Sequence, residues 1–277
     1  MRSLQTPGIL GVPVRTPTLP PATHTNAWLV GEGEIAVFDP ASPWEDEQRV
    51  LATAIDARVA AGERVAALVL THHHADHVGG AVALADHLAA TTGVRPPILA
   101  HPVNRDWTAV PIDEPWVDGE ERTFGGRTLR AHFTPGHAPG HLVFHDAASG
   151  VLIAGDLVAG VGTIAIGPTD GDLGQYLASL DLARALRPCV LLPAHGPALP
   201  EPETVLSFYL AHRHQRSDQI RRALVNGRAT AVELVPRVYP ELPEWAVPLG
   251  AGQITSHLRW LRDAGLVVGD DTGWSAR

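Results

Sequence analysis

The chain has 277 residues, 45% of them hydrophobic and 18% charged, enough apolar material for one large core plus a small one and too much for a disordered polymer. All 21 basic residues are arginine, and the net charge of −9 is carried by residues 1–199, which excludes an extensive cationic footprint for polynucleotides while leaving room for a local groove. A single cysteine, Cys189, excludes an intramolecular disulfide framework and agrees with a reducing compartment.

Residues 1–10 contain no apolar run before a small-residue cleavage site, so no secretory leader is expected, and a cytoplasmic protein follows. Residues 25–30 and 35–38 read as a strand pair around the Gly31 and Gly33 turn, closed by Asp39 and Pro40. Ser42, Pro43 and Glu45 suggest a capping-box start to a helix in which Leu51, Ile55 and Val59 recur at helical spacing before Gly62. Residues 65–70 form a buried strand running into a histidine cluster, then a helix spans 78–92 and stops at Gly93. Further strands are expected at 98–100, 128–134, 141–145 and 151–154, a helix through Leu173, Tyr176, Leu177 and Leu180, and a strand at 190–192 that would bury Cys189. The most apolar stretch, 151–167, is interrupted by Asp156 and by repeated glycines, which suits buried strands and turns rather than a membrane span. Strands and helices therefore alternate in one layered α/β domain. After Pro200 the pattern becomes helical, at 201–224, near Ala231 and at 253–263, with a hairpin around 269–273.

The chemistry concentrates after the strand at 65–70. His72 and His74 share one side of an extended chain and can meet one metal, whereas His73 faces away. Asp76 and His77 follow where the chain turns into a helix, in reach of a second metal. His137, Asp156 and His195 each fall at a predicted strand end beside a glycine, which permits the sharp turn that aims a side chain into a shared site. Imidazole and carboxylate make zinc the default, and the same donors also tolerate manganese or iron.

The run Thr71-His72-His73-His74-Ala75-Asp76-His77 resembles the HxHxDH signature of the metallo-β-lactamase superfamily, and His137, Asp156 and His195 follow in that family's order. The resemblance covers residues 8–200 and implies an αββα sandwich with two divalent metal ions at one edge. It implies His72, His74 and His137 on the first ion, Asp76, His77 and His195 on the second, Asp156 bridging, and a hydroxide clamped between the ions as nucleophile, with Asp76 orienting it. His141 stands near enough to hydrogen-bond beside the site or to serve the scaffold, and both roles stay open. Antibiotic-hydrolysing members commonly use a cysteine or a different second-metal set, so that activity is not implied.

Within the superfamily, His212-Arg213, Gln219-Ile220 and the run from Gln253 to Leu258 are similar to the lactamase-beta-like protein 2 group. That likeness implies a winged-helix-like C-terminal domain, dividing the chain at 1–200 and 201–277. The expected function is hydrolysis of a thioester or ester of a small or carrier-linked substrate. Cleavage of single-stranded RNA is the alternative, and a mononuclear iron persulfide dioxygenase is a redox rival. The motif also resembles glyoxalase II, without an identifiable glutathione-binding tail. No membrane partner is expected, and a homo-oligomer is left open.

Overall fold

The computed structural model describes residues 7–277, the side chain at 226 excepted, so part of the leader expectation, at residues 1–6, lies outside the described residues. Strands β1 (Ile9–Arg15), β2 (His24–Val30), β3 (Glu34–Phe38), β4 (Arg64–Val69), β5 (Ile98–Ala100) and β6 (Glu114–Pro115) follow one another across a mixed sheet. The first three are antiparallel neighbours and the last four parallel. A second sheet has the order β11 (Val190–Pro193), β10 (Val151–Gly155), β9 (Leu142–Asp146), β8 (Arg127–Phe133) and β7 (Glu121–Phe124), parallel only between β10 and β11.

Alternation along the strands sorts the apolar residues into layers. On β3, Ala36 and Phe38 enter the layer between the sheets, with Trp116 and Phe144, while Ile35 and Val37 face outward. There they pack on α1 (Glu45–Ala60) and α3 (Ala81–Thr92) through Leu51, Ile55, Leu84 and Leu88. On β10, Val151 and Ile153 join the inner layer, while Leu152 and Ala154 meet α4 (Leu173–Ala185) and the first half of α5 (Pro202–Ala223). The result is helix, sheet, sheet, helix. Phe38, Trp116 and Phe144 lock the centre, with ring centroids 4.7 to 6.5 Å apart.

The tail adds α6 (Ala231–Val238), α7 (Val247–Asp263) and a hairpin of β12 (Val267–Asp270) and β13 (Gly273–Ala276). Ile220, Leu224, Leu234, Ile254, Leu258 and Trp274 form its own core. The two cores meet along α5, whose Leu206, Tyr209 and Leu210 belong to the main body and whose Ile220 belongs to the tail. Trp260 of α7 touches both. Among the described residues no helix is long and apolar enough to cross a membrane.

Several expectations need correction. Helix α1 begins at Glu45 after Trp44, without a side-chain cap, because the Ser42 hydroxyl accepts the Trp44 N–H before the helix starts. The helix expected at 78–92 is split into a single turn, α2 (Ala75–Val78), and α3, since Gly79 and Gly80 pass so close to the backbone of Pro43 and Pro40 that no side chain fits. Cys189 is exposed rather than buried, because it precedes the first residue of β11.

His257 of α7 makes the tail's packing sensitive to acid. Its ring is buried with Nδ1 2.8 Å from the Ser217 hydroxyl of α5, and burial, reinforced by Arg213 and Arg216, lowers it to about 3. Between that value and the ordinary one near 6.5, the unfolded chain takes up a proton here that the folded chain refuses, so this stabilisation is complete above about pH 6.5 and is lost as pH falls. Urea unfolding from pH 7 to 4 should show stability falling more steeply in the parent than in His257→Gln, and equal slopes would remove His257 as a cause.

Candidate metal centre

The sheet ends bring the seven residues together. Strand β4 stops at Val69, so His72 and His74 stand on a bent segment rather than an extended strand, yet His72 Nε2 lies 3.0 Å from His74 Nδ1. His137 comes from the turn after β8 and places its Nε2 3.2 Å from His72 Nε2. Gly136 permits that turn at φ +125°, where a Cβ would sit 2.2 Å from the Tyr176 backbone nitrogen. Asp156 follows β10 directly. Gly155 before it has φ +49°, and a Cβ there would run into His141 and Thr71. His195 lies just past β11, and Asp76 and His77 sit on α2.

Three ring nitrogens, from His72, His74 and His137, thus converge on one point, and Asp76, His77 and His195 on another. Asp156 stands between them. Its Oδ2 is 3.4 Å from His137 Nε2, and its Oδ1 is 3.6 Å from His77 Nε2 and 3.3 Å from His195 Nε2. Asp76 Oδ2 closes the second group at 3.5 Å from His195 Nε2. His77 Nε2 and Asp156 Oδ1 are both buried with no hydrogen-bond partner among the described residues. Two such atoms facing each other would each carry an uncompensated desolvation cost, which a cation between them removes. The residues therefore fit divalent ions.

Charge supports the same reading. Burial and the neighbouring rings of His77, His74 and His137 hold His72 well below the usual imidazole value, and burial lowers His137 to about 4, so both are neutral donors. Burial opposes a charge on His77, but Asp156, Asp39 and Asp76 outweigh it and raise that ring well above the usual value. Asp156 is likewise opposed by burial but held well below the usual carboxylate range by His195 and His77. A cation suits the carboxylate-rich half.

Each of the five candidate ligand rings has its other nitrogen fixed, His72 Nδ1 lying 3.0 Å from the Thr71 hydroxyl, and this sets ring tautomer and direction. His77 Nδ1 donates to Asp39 Oδ2 at 2.8 Å, and Asp39 also accepts from the Thr71 hydroxyl and backbone N–H, both at 2.8 Å. His137 Nδ1 donates to the Ala165 carbonyl, His195 Nδ1 to the His24 carbonyl, and His74 Nε2 to Asp170 Oδ2 at 2.7 Å. Asn26 donates to the carbonyls of Pro193 and Gly196 and so pins the His195 loop. His141 sits outside the ligand groups; its Nε2 accepts the Asp156 N–H at 3.0 Å and its Nδ1 meets the Thr134 hydroxyl at 2.8 Å. It therefore orients Asp156. His73 leaves the trio, as its place in the sequence suggested, and turns to Asp170 and the Trp107 ring.

Sequence reasoning missed Asp39 and Asp170. Asp39 reads as a hairpin-closing residue beside Pro40, although φ +48° on a buried aspartate marks it as special. Asp170 lies in a loop with no motif. That loop is held from the tail: the carbonyl of Ile164 accepts from Arg213 of α5, that of Ile166 from Ser256 of α7 at 2.7 Å, and that of Pro168 from Arg259 of α7 at 2.7 Å. The α5 and α7 side chains thus fix the segment whose Ala165 and Asp170 fix His137 and His74.

The centre opens into a cavity of about 790 Å³ reached by His74, Asp76, His137, Asp156 and His195. Its lining includes the β1–β2 loop, residues 17–22, Leu242 and Trp245 of the α6–α7 connection, and Leu249 in the first turn of α7. Leu19, Trp245 and Leu249 are large apolar side chains left exposed there. Trp245 lines the cavity although nothing local in the sequence separates it from ordinary packing tryptophans.

Residues 20–195 match the Metallo-beta-lactamase superfamily. The chain is similar to the beta-lactamase-like protein 2 homolog of Drosophila melanogaster, 30% identical over 248 residues that span 87% of this chain and 83% of that protein. It is also similar to an atrochrysone carboxyl ACP thioesterase of Aspergillus fumigatus, 29% identical over 192 residues, 65% of this chain and 58% of that protein. A beta-lactamase domain protein from Burkholderia ambifaria shares the fold, with a TM-score of 0.86 at 22% identity, over 99% of this chain and 92% of that one.

Proposed function

This chain belongs to the metallo-β-lactamase superfamily of hydrolases, and from that premise we propose that it cleaves a thioester or ester of a small or carrier-linked molecule at a two-metal centre. The observation that carries the reading is Asp156, whose two oxygens face different ligand groups while Oδ1 and His77 Nε2 have no hydrogen-bond partner among the described residues. His72, His74 and His137 would hold one ion, Asp76, His77 and His195 the other, with Asp156 shared. Zinc is the first choice for this donor set, ahead of manganese and iron. Ions held there would supply a lowered pKa for water, to about 7, and Lewis acidity toward the attacked oxygen.

The remaining work falls to the chain. Asp76 lines the cavity, so its carboxylate is placed to accept a hydrogen bond from attacking water and to aim it. Asp39, Asp170 and the carbonyls of Ala165 and His24 hold the imidazoles in one tautomer, sparing reorganisation during the reaction. The apolar walls at Leu19, Leu242, Trp245 and Leu249 suit an acyl chain, which would cover their exposed faces on binding. They favour a thioester or ester over single-stranded RNA, and the similarity to a fungal carrier-protein thioesterase points the same way.

We read residues 201–277 as a second, winged-helix-like unit, supported by three helices followed by the hairpin β12–β13. Its role in this reading is to wall the cleft: Ser256 and Arg259 of α7 are spent on the loop at 166–168, and Arg259 and Arg262 pair with Asp271 and Asp263. The single free, exposed Cys189 suits the reducing cytoplasm. The test is turnover by the metal-loaded protein of a panel of acyl thioesters and esters beside a labelled single-stranded RNA, with oxygen uptake recorded. Thioester or ester cleavage without oxygen uptake is expected. RNA cleavage alone would move the protein to the nuclease reading, and oxygen consumption with a single iron would move it to the dioxygenase.

A further inference from the structure

The cleft contains positive charge that the metal centre does not use. Helix α5 presents His212, Arg213 and Arg216 to the same cavity as His74, Asp76 and Asp156. Among the described residues neither arginine has a carboxylate partner. Arg213 gives one amino group to the Ile164 carbonyl and lies over the Tyr176 ring, 5.3 Å from its centroid. Arg216 gives Nη1 to the Val238 carbonyl at 2.7 Å and stacks 4.3 Å from the centre of the Tyr239 ring. The Nε of both is shut off from solvent without a partner among the described residues; Arg213 is buried as a whole and Arg216 is half-buried. The carboxylates that share the cavity, Asp76, Asp156 and Asp170, already face imidazoles and the candidate metal positions.

A chain of net charge −9 that holds two uncompensated guanidinium groups beside its active centre gains by receiving an anion there. The stacking and carbonyl contacts also fix the planes of both groups in advance, and a planar guanidinium matches the oxygens of a carboxylate or phosphate. We propose that Arg216, backed by Arg213, is a subsite for an oxyanion carried by the substrate, so that the substrate is an anionic acyl compound whose apolar part lies along Leu242, Trp245 and Leu249. This rests on the hydrolase reading above, and it adds the charge of the substrate to it.

The experiment uses the metal-loaded full chain and three thioesters of one acyl length: one neutral, one with a carboxylate at the acyl end, and one with a phosphate on the thiol part. The parent is expected to prefer one of the two charged compounds, which tells a carboxylate from a phosphate. In Arg216→Gln the ratio of its kcat/KM to that of the neutral compound should fall by roughly 10- to 100-fold, the worth of a hydrogen bond to a charged group. The preference should also shrink with added salt in the parent. A parent without preference, or a variant that loses the charged and neutral compounds alike, overturns the subsite. If no thioester is turned over, the hydrolase reading fails on its own. Calorimetry with the two anionic thioether analogues then decides: binding to the metal-free parent that Arg216→Gln abolishes sustains the subsite, and equal or absent binding to both proteins overturns it.

Discussion

Asp156→Ala should abolish hydrolysis while leaving the protein folded. Among the described residues Asp156 is the only side chain with an oxygen toward each ligand group, at 3.4 Å from His137 Nε2 on one side and 3.3 Å from His195 Nε2 on the other. Its loss should exceed the roughly 10- to 100-fold that removal of an outer partner of a metal site costs, because both positions lose a ligand at once. The fold should survive, since Asp156 stands at the mouth of β10 and its backbone N–H still has His141 Nε2 to bond. Tyr176 and Tyr209 also hold the following residues through Leu157 and Ala159. Circular dichroism and thermal unfolding of the variant check the second half, and thioester turnover the first. Activity within a few fold of the parent would sink the assigned centre.

Asp39→Ala is expected to weaken the site from behind. Its carboxylate accepts from His77, from the Thr71 hydroxyl and from the Thr71 backbone N–H, all at 2.8 Å and all buried. Without it the buried Thr71 N–H has no acceptor, which costs about 1–3 kcal/mol, and His77 is free to adopt the tautomer that turns a proton toward the second metal position. Metal affinity should fall by roughly 10- to 100-fold, as for other outer partners of metal-bound histidines. A competition titration with a chelator of known affinity measures this in parent and variant. Unchanged affinity with lowered stability would reduce Asp39 to a structural residue.

The contrast between Asp156 and Asp39 shows what a sequence can and cannot disclose. Asp156 interrupts an apolar stretch beside a glycine, a local conflict that points to a candidate site and is legible in the sequence. The same holds for His72, His74, Asp76 and His77, whose crowding within six residues no core would tolerate. Asp39 reaches His77 across 38 residues of chain, and Asp170 reaches His74 across 96. No local pattern records such a pairing. Strands β1 and β6 were not legible for a related reason: β1 carries Gly11 and Pro13 among its apolar residues, which hides in the sequence the alternation it shows when folded, and β6 has only two residues. Central strands such as β4 and β10, buried on both faces, were legible as apolar runs. The helices of the tail were readable in outline, but their grip on the 164–168 carbonyls was not, because it runs from side chains to the backbone of a distant loop. His141 illustrates the middle case: its position close to His137 in sequence leaves two roles open, and only the folded chain shows its contact with the Asp156 N–H.

The most direct test of a two-metal centre is the metal content of the purified protein by plasma mass spectrometry after exhaustive dialysis. About two divalent ions per chain are expected in the parent, dropping to one or fewer in Asp156→Ala. A parent that retains less than one ion per chain even after loading with zinc, manganese or iron, or an Asp156→Ala variant that keeps two, would contradict the centre described above.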